Sequence, residues 1–491
     1  AEAKIWLKPN METLQRTANR GSISTGYDID NSVKLEADNV EFMDRVISST
    51  GNRKTWTYSG WIKRTEISYA GDGFGHTFFM GGAYGSEGCI FRFNTGTTAA
   101  TLDTLQIDIG DGGTQNRSHT SQVFRDTSAW YHIVLAVDTT QSTATDRFKL
   151  YVNGELVTSY YNRTNPAQNL DTGNNYQSSG YYNNVGAYKS GGTTYGKFCG
   201  YIAESYNIDG SALAPTAFGE FDEDSGIWIP KEYTGSFPNN SWYLKFDDSG
   251  ALGADSSGNS HTFTLNNIAA ADQATDTPTN NFATLNPLMA NAGPANYLPI
   301  TEGGTKAVNT AAAYKIANST FGVTSGKWYW EVKATDVNGV TAIGVTMPFY
   351  WDADYTLQGC IYYGQTGQRY NNASAGSFGA TYTDGDIISF ALDMDATPPT
   401  MTVYKNNSSQ GNLMAGLSIN GAGGAFLPVK EDGYFPKVVG YNANTFECNF
   451  GGYTSFSISS AASDENDYGT FEYAPPSGYY ALCTKNLAEY G

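Results

Sequence analysis

No run of apolar residues in this chain approaches the ~18 that a membrane-spanning helix needs, and the opening Ala1-Glu-Ala-Lys-Ile-Trp-Leu-Lys-Pro9 lacks the apolar stretch of a secretory leader. Neither membrane insertion nor export by that route is expected. Cysteine is scarce: Cys89, Cys199, Cys360, Cys448 and Cys483 are odd in number, widely spaced and without a CxxC pair. They suggest neither a disulfide framework nor a zinc site, and read as small buried hydrophobes. The 4 histidines are too scattered to point to metal or triad chemistry, and His132, inside an apolar strand, reads as a structural residue. No Gly-x-Ser-x-Gly elbow or phosphate loop stands in a strand-to-helix setting, so no nucleophile is indicated. Charged residues are only 16% of the chain, yet the net charge is −19 and spread along it. Repulsion from phosphate argues against a nucleic-acid partner.

What is present is aromatic and turn-rich. The chain holds 55 glycines, 35 tyrosines and 25 phenylalanines in 491 residues, a composition of strands and turns rather than helices. That length exceeds what one hydrophobic core organises, so two principal domains are expected. Alternating runs recur between turn signals: Ser32–Ala37, Trp56–Arg64, His76–Met80, Cys89–Phe93, Leu105–Ile109, Trp130–Val137, Arg147–Val152 and Gly200–Tyr206. Many short strands so spaced predict a sandwich or jelly roll. Asn153-Gly154, directly after an alternating run, predicts a type I′ hairpin turn. Residues 1–26 fit no sandwich: Met11–Asn19 could form a short helix, Arg20–Gly26 a flexible joint, and the whole an attachment arm.

The entry strand Trp56-Thr-Tyr-Ser-Gly-Trp-Ile-Lys63, followed in order by Trp130-Tyr-His-Ile-Val134, Phe148-Lys-Leu-Tyr-Val-Asn-Gly154 and Gly200-Tyr-Ile-Ala-Glu204, gives residues 27–247 a likeness. The segment resembles the laminin-G/pentraxin-like branch of the concanavalin A-like lectins. Residues 248–299 turn small and polar and read as an irregular connecting segment, a packed strap that buries Phe263, Leu265, Phe282, Leu285 and Leu288 or a free linker. Gly326-Lys-Trp-Tyr-Trp-Glu-Val332, Gly385-Asp-Ile-Ile388, Met401–Asn406, Phe435–Val439 and the closing Phe446-Glu-Cys-Asn-Phe-Gly451 make residues 300–455 resemble a SPRY domain. The expected fold is all-β: two antiparallel β-sandwich (jelly-roll) domains in tandem behind a short N-terminal arm, with a C-terminal extension over 456–491. That extension, in Tyr473–Leu487, and the motif Asp276-Thr-Pro-Thr-Asn-Asn-Phe282 resemble those of marine phage structural proteins that join the same two domain types.

Carbohydrate contact, protein contact and a plain structural loop are the readings open for two tyrosine-rich stretches; tyrosine offers flat area and a polar handle for the first two. The first holds Tyr160, Tyr161 and Arg163 with Tyr176, Tyr181 and Tyr182; the second holds Tyr362, Tyr363, Arg369 and Tyr370. Calcium is the one cofactor considered, with candidate ligands Asp108 and Asp111 in one turn and Glu220, Asp222 and Asp224 in another; an Asp-Gly turn and a solvated acidic loop are the plainer readings. The run Glu220–Asp224 is also the one compact place for a hydrolase carboxylate pair, but its flanks read as a turn rather than a core-lining strand. The resemblances imply no catalytic group, so a non-enzymatic role is expected. They imply a virion-surface appendage or capsid-decorating fibre protein, made without a signal peptide, held to other virion proteins by its N-terminal arm, homo-oligomeric, and binding host-surface glycan or a neighbouring virion protein. A purely structural virion protein and a glycan depolymerase of the lectin-like fold are the alternatives.

Overall fold

A computed structural model describes residues 26–67, 75–83, 88–96, 98–110, 115–190, 192–288, 298–346, 359–371, 373–416 and 433–491. The arm over 1–26 lies outside these, save Gly26. Residues 24–279 with 301–303 form one compact unit, and 280–300 with 304–491 another. Both are antiparallel β-sandwiches, and the described residues contain one α-helix, Thr484–Tyr490.

In the first unit one sheet runs in the order Glu155–Leu156, Phe148–Val152, Trp130–Asp138, Thr55–Arg64, Gly200–Asp209, Ser32–Leu35 and Gln273–Ala274, with Trp242–Leu244 added beside Gly200–Asp209. The other runs Tyr160–Asn162, Gln115–Val123, Thr104–Gly110, Cys89–Phe93, His76–Gly82, Tyr182–Val185, Phe42–Val46 and Thr264–Asn266. Alternation delivers the core: Val33 and Leu35, Phe91 and Phe93, Leu105, Ile107 and Ile109, and Ile133, Leu135 and Val137 all point between the sheets. Asn153 (φ 47°) and Gly154 (φ 80°) make the predicted turn, and the Asn153 side chain accepts the His132 amide at 2.7 Å.

The stretch 248–299 is not a free connection. Leu252, Phe263 and Ala274 are buried, Thr264–Asn266 pairs with Phe42–Val46, and Gln273–Ala274 pairs with Ser32–Val33. Two-residue and three-residue edge strands are too short to show a period, which is why the segment reads as irregular. Within it the Asp276–Phe282 motif is anchored at both ends. In the first unit Asp276 takes Lys63 and Trp130, and Thr279 takes the Ile29 amide; in the second, Asn281 and Thr484 exchange two hydrogen bonds at 2.9 Å.

His132 is held between two indoles, its ring 4.6 Å from Trp61 and 5.9 Å from Trp228. The Trp228 indole N–H donates to Nδ1 at 2.9 Å, so the proton sits on Nε2, which faces Ser59 Oγ at 2.9 Å. Burial lowers the His132 pKa to about 3. The unfolded chain therefore takes up this proton first, near pH 6.5, and stability falls by about 1.4 kcal/mol per pH unit from there down to the folded value. His132→Gln, which can donate to Ser59 and accept from Trp228, removes that slope. Urea denaturation from pH 7 to 3 should show wild type losing ground to the variant as pH falls, and parallel curves would refute the assignment.

In the second unit one sheet runs Leu285–Asn286, Lys315–Ser319, Phe435–Tyr441, Val340–Thr346, Cys360–Tyr363, Gln368–Asn371 and Ala373–Ser377. The facing sheet includes Lys306–Asn309, Asn444–Asn449, Lys327–Val337, Ile387–Asp393, Thr400–Lys405 and Ser408–Asn412. Trp328, Trp330 and Val332 enter the core, while Tyr329 and Glu331 point the opposite way. There the C-terminal extension covers them: Tyr480–Ala481 pairs in parallel with Trp328–Tyr329, and Phe471, Ala481 and Cys483 join Tyr329, Ala391 and Phe282 in a satellite cluster. Two buried carboxylates fasten this cover. Glu331 accepts from Tyr329, Asn449 and the amides of Glu472 and Tyr473, and Asp464 accepts from the amides of Tyr468, Gly469 and Ala481 and from Asn486.

Candidate functional site

The outer face of the second sheet of the first unit carries a polar row built on regular strands. With Phe91, Ile107 and Ile109 turned inward, the alternation turns Arg92, Gln106 and Asp108 outward, and register sets Gln106 opposite His119 and Asp108 opposite Arg117. The Arg117 guanidinium holds Asp108 by Nε at 2.8 Å and a terminal nitrogen at 3.1 Å, a bidentate pair. Gln106 donates to Asp108 at 2.8 Å, and Arg92 stands 3.9 Å from it. His119 lies 3.1 Å from the Gln106 oxygen and 2.7 Å from the Asn162 oxygen. Burial lowers the His119 pKa, against the opposing pull of Asn162 and Asp108, so the ring is neutral near pH 7 and donates to one of the two amides.

Burial is graded along the row. Asp108 is fully buried, whereas the Arg117 side chain is 42% exposed and Tyr161, at the edge strand, 59%. Toward the sheet's other edge the same face is roofed by the hairpin Tyr188–Ser190/Thr193–Tyr195, whose Tyr188 and Tyr195 pack on Met80 and Ile90. The open end thus offers a guanidinium, the Asn162 amide and a tyrosine ring on a rigid sheet, with Gln106 and His119 buried behind them. Fixed donors and acceptors beside a flat aromatic are what vicinal hydroxyls and the apolar face of a sugar ring require.

The residues singled out from sequence divide. Tyr161 belongs to this open end, but Tyr160 turns inward against Phe148, and Arg163 stacks over Phe148 at 4.3 Å while donating to the Thr145 and Phe148 carbonyls. Tyr176 and Tyr181 pack edge to face at 5.0 Å beneath Arg53, and Tyr182 sits in the strand Tyr182–Val185. In the second unit Tyr362 is a core residue hydrogen-bonded to Ala380, and Arg369 donates to the carbonyls of Leu413 and Ala415. Tyr363 and Tyr370 meet at 5.5 Å on the outer sheet face, with Tyr314 and Tyr441 4.9 Å apart on the same sheet.

The calcium candidates do not assemble. Asp108 lies on a strand rather than in a turn and is committed to Arg117, and Asp111 lies outside the described residues. Glu220 pairs with Lys231 at 2.9 Å, Asp222 caps the turn by accepting from Ser225, and Asp224 is exposed. Glu220 and Asp222 are engaged at the hairpin of Gly219–Phe221 and Trp228–Pro230, and the three carboxylates do not converge on one point, so this set does not fit calcium. Sequence reasoning missed Arg92, Gln106, Arg117, His119 and Asn162. The signal for Arg92 and Gln106 was the polar phase of two alternating runs; Gln115–Val123 shows none, being polar at nearly every position.

Comparison with known proteins bears out the two domain types. Residues 34–193, which contain the whole row, match the family described as the concanavalin A-like lectin/glucanases superfamily, and residues 327–453 match the SPRY domain family. No curated protein matches the chain. Among solved structures, the SPRY domain of human HERC1 is similar at 21% identity and TM-score 0.27, over 33% of this chain and 96% of its own. A heptameric SAP-like pentraxin from Limulus polyphemus is similar at 15% identity and TM-score 0.27, over 38% and 80%.

Proposed function

We propose that this chain, a concanavalin A-like domain followed by a SPRY domain, is a non-catalytic binding protein of a phage particle that holds surface glycan on the polar row of its first domain. The row carries the reading: Gln106, Asp108, Arg117, His119 and Asn162 are joined across three strands, and its Arg117 and Asn162 end reaches solvent on the edge that carries Tyr161. Binding without hydrolysis is supported by the row's single carboxylate, Asp108, since glycoside hydrolysis employs two. The second domain, with Tyr314, Tyr363, Tyr370 and Tyr441 on one sheet face, suits protein contact. The virion setting rests on the likeness of Asp276–Phe282 and Tyr473–Leu487 to phage structural proteins, with residues 1–26 as the attachment arm to other virion proteins.

The test is a glycan array probed with the full chain, followed by calorimetry on the best oligosaccharide. Arg117→Ala and Tyr161→Ala should each weaken binding roughly tenfold or more, as expected for loss of a charged hydrogen bond or a stacking face, with circular dichroism unchanged. No oligosaccharide bound, or full affinity in Arg117→Ala, would sink the glycan reading. Release of oligosaccharide from host polysaccharide would overturn the non-catalytic one.

A further inference from the structure

At one end of the first unit three chemically different donors converge. Glu66 follows the strand Thr55–Arg64, Cys199 precedes Gly200–Asp209, and His76 opens His76–Gly82. One ligand atom from each lies within 4.8 Å of the other two, and His76 and Cys199 are fully buried. A further carboxylate borders the group from the end of Ser32–Leu35: Glu36 Oε1 is 3.6 Å from Cys199 Sγ, while its other oxygen accepts the Glu302 amide. Among the described residues no other group of three such side chains converges in this way. The neighbouring cation, Arg64, is already paired with Asp103 at 3.1 Å.

We propose that Glu66, His76 and Cys199 form a structural zinc site, with Glu36 beside the sulfur as the nearest further donor. The donor set selects the metal: a thiol and an imidazole are ligands for a borderline-soft ion and are foreign to calcium or magnesium, and three protein donors leave the fourth tetrahedral position to a turn of Glu36 or to water. The spacing agrees. Three atoms no more than 4.8 Å apart can all lie within about 2.8 Å of a common centre, so closing to the ~2.0–2.3 Å of zinc bonds takes rotamer adjustments of about half an ångström. A sulfur and an oxygen on one tetrahedral zinc stand ~3.5 Å apart, close to the 3.6 Å between Cys199 and Glu36. Glu66 and Cys199 border strands of one sheet and His76 opens a strand of the other, so the ion clips the sandwich shut at this end. On binding, the Cys199 thiol gives its proton to solvent and coordinates as thiolate.

The experiment uses the full chain, stripped with chelator and then dialysed against zinc. One equivalent should be retained, with Tm raised by roughly 5 °C or more. Cobalt(II) in place of zinc should give the near-ultraviolet thiolate-to-cobalt absorption, and Cys199→Ala should abolish it while Cys448→Ala, in the other unit, keeps it. If Cys199→Ala does not fold, the cobalt spectrum of the wild-type chain decides alone. Failure to retain zinc, cobalt bound without the thiolate band, or a band that survives Cys199→Ala in folded protein would each overturn the site.

Discussion

Replacing Asp276 with alanine is expected to cost the first unit about 3–5 kcal/mol, the scale for breaking one partner out of a buried ion pair. Asp276 receives Lys63 Nζ at 2.6 Å and Trp130 Nε1 at 3.0 Å, and both charged side chains are essentially without solvent contact, at 0% and 1% exposure. Without the carboxylate the ammonium must remain charged in an apolar wall or shed its proton, and burial already presses the Lys63 pKa downward. Pairing Asp276→Ala with Lys63→Met should recover much of the loss, because the penalty is the orphaned charge rather than the absent attraction. Urea denaturation of the single and double variants checks this. A cost below about 1 kcal/mol for the single change would mean that water reaches Lys63.

Glu331→Ala is expected to cost the second unit a similar amount, about 3–5 kcal/mol, and to loosen the C-terminal cover selectively. Its carboxylate gathers the Tyr329 hydroxyl at 3.0 Å, Asn449 at 3.2 Å and two consecutive backbone amides, Glu472 and Tyr473, at 2.9 Å. Alanine leaves these donors facing each other with no acceptor between them. Chymotrypsin should then cut after the tyrosines of 468–480 well before the sandwich unfolds, whereas a simple loss of global stability would speed all cleavages together. Equal acceleration throughout would show that Asp464 holds the extension by itself.

Strands that bury one face were legible, because the period of two is visible wherever apolar and polar residues alternate: Cys89–Phe93, Thr104–Gly110 and Phe148–Val152 are read directly. Gln115–Val123 was not, since Ser118 and Thr120 stand where a core strand would show leucine or valine. That strand carries Arg117 and His119, so the residues that complete the candidate site fell in the least readable element. Tyrosine-rich composition misled at Tyr160 and Tyr362, because composition does not say which phase of a strand a ring occupies, and both turn toward a core. Glu36, Glu66, His76 and Cys199 come from four separate stretches of chain and meet only when the sheets stack. No local motif could have announced them.

The cover over Tyr329 arrives late in synthesis. Ala481, its register partner, is 152 residues further along the chain, and at ~5–20 residues per second that interval is roughly 8–30 s. Strand pairing and collapse take far less time than this. Once Asn444–Asn449 has completed the sheet around Lys327–Val337, 32 residues remain before Ala481, and for those roughly 2–6 s Tyr329 and Ala391 stand uncovered, an adhesive surface present only on the ribosome. Chaperone occupancy during translation, rather than the stability of the finished protein, would then govern how much of it is recovered intact from an expressing cell.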